Sequence, residues 1–153
     1  MTFAADTSVP VEKSKAEVDA LLARAGASQR LLGVDDEKGE AWVIFRLEQW
    51  QIRLAIPLPR PDEIRAQHKS PRRTWEETNR RAWEQTCRTR WRAMLLLVKA
   101  KLEAIELGIS TVEREFLADI YLPDGRRMGE ALSPQIAEAY ATGTMPPLLL
   151  GGS

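Results

Sequence analysis

The chain of 153 residues contains a single cysteine and a single histidine, and this scarcity excludes several kinds of site. Because Cys87 has no partner in the chain, no internal disulfide can form, which is typical of a reducing compartment. A structural zinc site needs about four His or Cys ligands, and only Cys87 and His68 are present. His68 lies in a predicted loop without a neighbouring Asp or Ser pattern of the kind that catalysis uses. We therefore expect no metal, no cofactor and no enzymatic activity.

Long apolar stretches and glycine-rich phosphate loops are also missing. The run Met94–Val98 is far too short to span a bilayer. The segment Met1–Pro10 lacks the basic and apolar regions of a secretory signal. Gly151-Gly152 follows no predicted strand, so it is not a phosphate-binding loop. These features predict a soluble cytoplasmic protein without a membrane partner.

The formal net charge is zero, yet the charges are distributed unevenly. Residues 65–92 hold nine Lys or Arg against three Glu, a net charge of +6. Residues 1–40 and residues 93–153 each hold five basic and eight acidic side chains, a net charge of −3. Arginine interleaved with tryptophan suits phosphates and exposed bases, and it equally suits an acidic protein surface. Residues 65–92 are therefore the predicted binding region.

The predicted fold class is α+β. A chain of this length is expected to form one domain, over residues 1–141, with a flexible tail at residues 142–153. A three-stranded antiparallel sheet packs against an N-terminal helix and a long central helix, and a small C-terminal hairpin and helix follow. Apolar periodicity predicts the first helix from about Val11 to Ala25, and a weak first strand is predicted over Ser28–Val34.

The clearest strand signal is a hairpin centred on Glu48-Gln49. Apolar residues alternate on both sides of this dipeptide, which places Phe45 opposite Ile52 and Val43 opposite Leu54 on one face. A shift of the register by one residue would move these side chains to the other face, so the pattern itself selects the register.

A long helix is predicted over residues 75–107. Thr74 and Glu77 have the spacing of a capping box at its start. At about 1.5 Å per residue the helix is about 50 Å long, so one end is expected to project or to bind a partner. Apolar side chains recur three or four residues apart on one face, at Trp83, Cys87, Trp91, Met94, Val98, Leu102 and Ile105.

Shorter elements are predicted for the C-terminal third. Ser110 and Glu113 have capping-box spacing and predict a short helix. Pro123–Gly125 has the composition of a tight hairpin turn. Ser133-Pro134 is predicted to open the final helix, which ends at about Tyr140, because proline is favoured in the first helical turn.

The candidate binding residues lie in the basic segment and have few local acidic partners. Four of them precede the long helix, and two share a helix face beyond the last local glutamate. As a group they are Arg65, Lys69, Arg72, Arg73, Trp75, Arg88 and Arg92. The arginines and the lysine would contact phosphates, and Trp75 would act as a stacking platform.

The alternative interpretation is a salt-bridged helix surface without a binding role. Charged pairs four residues apart on a helix stabilise it by a few tenths of a kcal/mol each. The chain contains four such pairs, namely Glu76–Arg80, Glu77–Arg81, Arg80–Glu84 and Glu84–Arg88. They do not account for the basic residues that precede the helix, so both interpretations stay open.

Two other groups are expected to be structural. Cys87 falls on the apolar stripe, which predicts a buried core thiol rather than a nucleophile. The C-terminal carboxylates Glu113, Glu115, Asp119 and Asp124 would be the candidates for a magnesium site. Because Glu113 and Glu115 lie about 200° apart on a helix, they do not converge on one ion.

Three stretches carry a resemblance to known sequences, namely Val9–Glu17 (VPVEKSKAE), Ile56–Pro59 (IPLP), and Trp91–Gly125 with its segments KAKLEA and LPDG. On these stretches, about half of the chain, the sequence resembles a family of small, mostly uncharacterised proteins that bacteriophages and prophages encode. The resemblance implies a mobile-element origin and action in the cytoplasm of an infected or lysogenic bacterium. It carries no functional residue across.

The favoured function is non-enzymatic: a phage-type accessory protein that binds nucleic acid through the basic loop and helix at residues 65–92. The alternative is a phage-encoded inhibitor that binds an acidic surface of a host defence protein. A third interpretation, a hydrolase, would use Asp119 and Asp124. The sequence leaves open whether the partner is DNA, RNA or protein, and also the oligomeric state.

Overall fold

The computed structural model describes residues 4–147, and its α+β architecture is the one predicted. The elements follow one another as α1 (Val11–Arg24), β1 (Ser28–Asp35), β2 (Glu40–Leu47), β3 (Trp50–Pro57), α2 (Trp75–Glu106), α3 (Val112–Phe116) and α4 (Met128–Thr142). A 3₁₀ turn, Leu117–Asp119, links α3 to the C-terminal hairpin. Part of the predicted tail, residues 148–153, lies outside the described residues.

The three strands form an antiparallel sheet in the order β1-β2-β3. Phe45 lies opposite Ile52 and Val43 opposite Leu54, so the predicted register of the hairpin is confirmed. Glu48 adopts a positive φ of 54° in the tight turn between β2 and β3. The alternating apolar residues of β2 and β3 are buried on one face of the sheet, while their neighbours on the other face are partly exposed.

Helices α1 and α2 cover the buried face of the sheet. Val18 and Leu22 of α1 and Trp91 and Val98 of α2 are almost fully buried in a core shared with the strands. The predicted stripe of α2 is confirmed at its centre, because Cys87, Trp91, Met94 and Val98 are buried. Towards both ends the stripe is only partly covered, as expected for a 32-residue helix on a small sheet.

The C-terminal hairpin attaches to the free side of β3. The amide of Tyr121 donates to the carbonyl of Gln51 at 2.9 Å, and Ile120 forms a single bridge with Ile52. The hairpin itself is closed by a bridge between Tyr121 and Arg127. Gly125 lies in the turn between them and adopts the φ of 85° that the turn requires. The predicted small hairpin is therefore present, reduced to one bridge.

Two predicted helix starts are wrong. The residue that caps α3 is Thr111, whose hydroxyl accepts from the amide of Arg114, rather than Ser110. Helix α4 begins at Met128 instead of Ser133-Pro134, so the proline lies inside the helix. The amide of Arg127 donates to the carboxylate of Glu130 at 3.0 Å. This hydrogen bond caps the first turn at Met128, so the helix begins earlier than predicted.

Strand β1 is an edge strand with an interrupted ladder. Its pairing with β2 shifts register between Ser28 and Leu31, where Gln29 adopts a φ of 53°. In residues 4–147 the strand pairs on one side only, and Leu31 is largely exposed. Over the same residues, none of the helices has the length and apolar character that crossing a bilayer requires.

Candidate nucleic-acid interface

The loop between β3 and α2 presents a group of positive side chains around one tryptophan. We call the exposed residues Arg65, Lys69, Arg72, Arg73 and Trp75 the basic surface. The first four lie in the irregular loop, and Trp75 is the first residue of α2. All were named as candidates from the sequence.

Several hydrogen bonds fix the course of the loop. The indole Nε1 of Trp83 donates to the carbonyl of Pro59 at 2.8 Å, and the amide of Ala66 donates to Oδ1 of Asn79 at 2.7 Å. The loop thus accepts one hydrogen bond from α2 and donates another to it. The basic residues are therefore carried by a loop that is anchored to the helix on which Trp75 stands.

A tight turn displays the central pair of arginines. The amide of Arg73 donates to the carbonyl of Ser70 at 3.2 Å, which closes a four-residue turn with Pro71 and Arg72 at its corners. Proline is favoured at the first corner because its fixed φ matches this turn geometry. Arg72 and Arg73 consequently lie next to each other at an exposed bend.

Trp75 stands on a rigid helix start. The predicted capping box is confirmed: the hydroxyl of Thr74 accepts from the amide of Glu77 at 3.2 Å, and the amide of Thr74 donates to the Glu77 carboxylate at 2.9 Å. The hydrogen bond from the Thr74 backbone lowers the pKa of Glu77 below its ordinary value of 4.5. The Trp75 side chain, 50% exposed, thus projects from an ordered first turn.

The positive charges of the basic surface have no carboxylate partner among residues 4–147. The ion pairs there include none that involves Arg65, Lys69, Arg72 or Arg73. The guanidinium of Arg65 instead donates to backbone carbonyls of its own loop. The acidic N- and C-terminal segments therefore do not neutralise this part of the chain.

Most of the salt bridges that the alternative interpretation predicts on α2 are not formed in the described residues. Of the four helix pairs predicted four residues apart, only Arg80–Glu84 forms within the described residues, at 4.0 Å. Glu77 is engaged by the capping box and does not reach Arg81. Arg81 is exposed and adds a positive charge to the N-terminal part of α2. Glu77 was expected both in the capping box and in a pair with Arg81, and only the capping box is formed in the described residues.

Two candidate residues lie apart from the basic surface. Arg92 pairs with Glu17 of α1 at 3.2 Å, so its charge is compensated. Arg88 donates two hydrogen bonds to Oε1 of Gln85, at 3.0 and 2.6 Å. At about 1.5 Å per residue, Arg88 is about 20 Å and Arg92 about 25 Å along the helix axis from Trp75. A ligand centred on Trp75 would reach them only if it were extended.

Next to Arg88 lies a pocket of about 310 Å³ that includes Trp83, Cys87 and Trp91 in its lining. Cys87 is buried, which confirms the expected core thiol. Burial raises the pKa of this thiol above its ordinary value of 9.0, so the sulfur stays protonated at neutral pH. A protonated thiol is a poor nucleophile.

The C-terminal carboxylates are engaged by cations. Asp119 lies 3.5 Å from Arg127, Asp124 lies 2.6 Å from Arg126, and Glu115 lies 3.6 Å from Lys101. Burial raises the pKa of Asp119, and the positive charge of Arg127 opposes this shift. Over residues 4–147 no three His, Cys, Asp or Glu side chains are placed to hold a metal ion.

Comparisons of the chain with protein-family models, with curated proteins and with solved structures found no match.

Proposed function

We propose that this protein binds nucleic acid, without catalysing a reaction, through the basic surface at the start of α2. The observation that carries the proposal is the set of four exposed cations, Arg65, Lys69, Arg72 and Arg73, without carboxylate partners in the described residues. Residues 65–81 hold six Lys or Arg against two Glu. An uncompensated cluster of this kind attracts phosphate groups.

Arginine is well suited to this role. Its guanidinium is planar, always charged and able to donate two parallel hydrogen bonds to one phosphate. Three of the four cations are arginines, and the anchored loop limits the freedom that they would lose on binding. Contacts to phosphate give affinity without base sequence selectivity.

The test is a charge reversal with a matched control. The double variant Arg72→Glu/Arg73→Glu removes two phosphate contacts and adds two repulsive charges, so we expect binding to weaken more than about 30-fold at low salt. The control is Arg46→Glu/Arg114→Glu, which changes the net charge equally at exposed positions outside the basic surface. Fluorescence anisotropy with labelled DNA and RNA at two salt concentrations measures both.

The salt dependence separates this proposal from other modes of binding. With four phosphate contacts, log Kobs should fall against log salt with a slope of about −3 for a single strand. Equal weakening in both double variants would mean a general charge effect, and unchanged affinity after the reversal at Arg72 and Arg73 would rule the proposal out.

A second candidate function is inhibition of a host defence protein by direct protein–protein binding. It is favoured by the exposed apolar side chains of the C-terminal helix region, where Ile136, Tyr140 and Met145 are 48%, 88% and 80% exposed. Exposed apolar side chains grouped in one segment are typical of protein interfaces. A stoichiometric complex with a host protein, together with no mobility shift of DNA or RNA, would favour this function over the first.

We also propose that either function takes place in a bacterial cell that carries a phage or prophage. The resemblance to phage and prophage proteins supports action in the cytoplasm of an infected or lysogenic bacterium. Neighbouring genes offer a direct check: recombination genes would favour the nucleic-acid function, and defence-related genes would favour the inhibitor.

A further inference from the structure

The basic surface combines cations with one exposed aromatic ring, and this combination bears on the kind of nucleic acid that it would take. Trp75 is half exposed and is the largest apolar side chain next to Arg72 and Arg73. In a duplex both faces of each base are covered by neighbouring bases, whereas an unpaired base offers a free face for stacking. An aromatic ring on a phosphate-binding surface therefore has a use with a single strand that it lacks with a duplex.

The charges at the start of α2 argue against insertion of this helix into a duplex groove. Glu76 and Glu77 lie in the first turn and both are exposed. The hydrogen bond from the Thr74 backbone lowers the pKa of Glu77, so its carboxylate is ionised at neutral pH. A helix lying in the major groove has phosphate backbones on both sides, and these carboxylates would be brought towards them.

The loop gives a route that avoids both glutamates. Arg72 and Arg73 occupy the exposed bend that the Ser70–Arg73 hydrogen bond closes, directly before the helix. A flexible strand that follows the loop meets cations first and the Trp75 ring at the helix start. A single strand is far more flexible than a duplex, so it can place phosphates on these arginines and an unpaired base on the ring.

We propose that the basic surface takes single-stranded nucleic acid, with one base stacked on the exposed part of Trp75 and the adjoining phosphates on Arg72 and Arg73. This inference rests on the proposed function and narrows it to one class of ligand. The shared chemistry is an unpaired base between phosphates, which single-stranded DNA and RNA both supply. Stacking needs no particular base, so the selectivity is for strandedness.

The experiment compares three variants on three ligands. Labelled oligothymidine, oligouridine and a duplex, each of about 16 nucleotides or base pairs, are titrated with the wild type and with Trp75→Ala, Trp75→Leu and Trp75→Phe. We expect the wild type to bind both single strands at least about 10-fold more tightly than the duplex. Loss of the ring in Trp75→Ala and Trp75→Leu should weaken single-strand binding about 10-fold, because the stacking of one base on an aromatic ring is lost. Trp75→Phe should stay within about threefold of the wild type.

A second readout reports stacking itself. The structure describes all five tryptophans, and Trp75 is the most exposed of them. Saturation with oligothymidine or oligouridine should quench part of the tryptophan emission in the wild type, and this change should disappear in Trp75→Phe. The salt slope should be the same in all Trp75 variants, since the phosphate contacts remain.

The outcomes separate the two proposals. Equal or tighter binding to the duplex, with Trp75→Ala unchanged on every ligand, would overturn the single-strand inference and leave nucleic-acid binding in place. No binding of any of the three ligands by the folded wild type would overturn both. A difference between oligothymidine and oligouridine would identify which of the two single strands is preferred. Far-ultraviolet circular dichroism of each variant verifies the fold.

Discussion

Two groups of arginines in this protein have opposite surroundings. In the C-terminal hairpin, Arg126 lies 2.6 Å from Asp124, and Arg127 contacts both Asp119 and Glu130. In the loop before α2, Arg72 and Arg73 have no carboxylate partner among the described residues. Arginine therefore forms ion pairs within the fold in the hairpin, whereas in the loop its positive charge remains available to a ligand.

The difference follows from local chain geometry. The hairpin turns back on itself within a few residues, so the carboxylates before and after the turn are brought to its arginines. In the loop before α2, Asp62 and Glu63 both lie near Arg60, and Glu77 of the helix is used as a cap. Charge density in a sequence thus predicts an available surface only where turns and caps have been assigned first.

The largest effect on stability is expected for the arginines of the C-terminal hairpin, which have carboxylate partners. Arg127→Ala leaves Asp119 partly buried without its cation, and hydrogen bonds between charged groups contribute about 1.5–3 kcal/mol. We expect the free energy of unfolding in urea to fall by about 2 kcal/mol. The control Arg126→Ala removes a more exposed pair, which solvent screens, and should therefore change the free energy of unfolding much less. A loss of similar size in Arg72→Ala/Arg73→Ala would contradict the comparison, since those side chains stabilise nothing that is visible in the fold.

Acid should weaken the carboxylate pairs of the C-terminal hairpin. Hydrogen bonds from Arg126 lower the pKa of Asp124, and those from Arg127 lower the pKa of Glu130, below their ordinary values of 3.8 and 4.5. A lowered pKa means that the contribution to stability is complete above the ordinary value and is lost as the pH falls through the lowered one. The raised pKa of Asp119 has the opposite sign and partly offsets this loss.

The measurement is the urea midpoint from about pH 6 to about pH 3. The wild type should lose stability as the pH falls below about 4.5, and Asp124→Asn/Glu130→Gln should lose less over the same range, because its paired carboxylates no longer titrate. Parallel curves for the two proteins would show that these pairs do not set the acid response.

The smallest expected effect comes from converting a paired arginine into an available one. Glu17→Gln removes the partner of Arg92, so a strand long enough to reach Arg92 should bind about twofold more tightly. A strand of about six nucleotides centred on Trp75 should show no gain. Anisotropy with both lengths measures the difference, and an equal gain for the short strand would mean that Glu17 acts only through the overall field.

Elements with local signals were predictable from the sequence. The register of β2 and β3 follows from strict alternation, and the start of α2 follows from Thr74 and Glu77 three residues apart. The pair between Arg92 and Glu17 was not predictable, because the two residues are 75 positions apart and meet only through the packing of α1 on α2. The sequence predicted a binding region at residues 65–92, but which of its arginines lack a carboxylate partner depends on such distant contacts.

The start of α4 was missed for a different reason. Proline at Pro134 favours a helix start in isolation, but the fold begins the helix six residues earlier, where Arg127 and Glu130 hold its first turn. Gly129 also fits closely there, since a Cβ at this position would lie 3.1 Å from the carbonyl oxygen of Ala118. A local contact at Arg127 and the close packing of Gly129 on Ala118 thus outweighed the local preference of Pro134.

The irregular stretch of β1 has a consequence for how the molecules behave at high concentration. An open sheet edge is a template on which strands of other molecules can add and grow into fibres. Here the displaced register at Gln29 breaks the row of outward hydrogen-bonding groups, and Arg30 beside it is drawn back to Asp19 at 2.7 Å. We therefore expect the Ser28–Leu31 stretch of this edge to be a poor template for the addition of further strands.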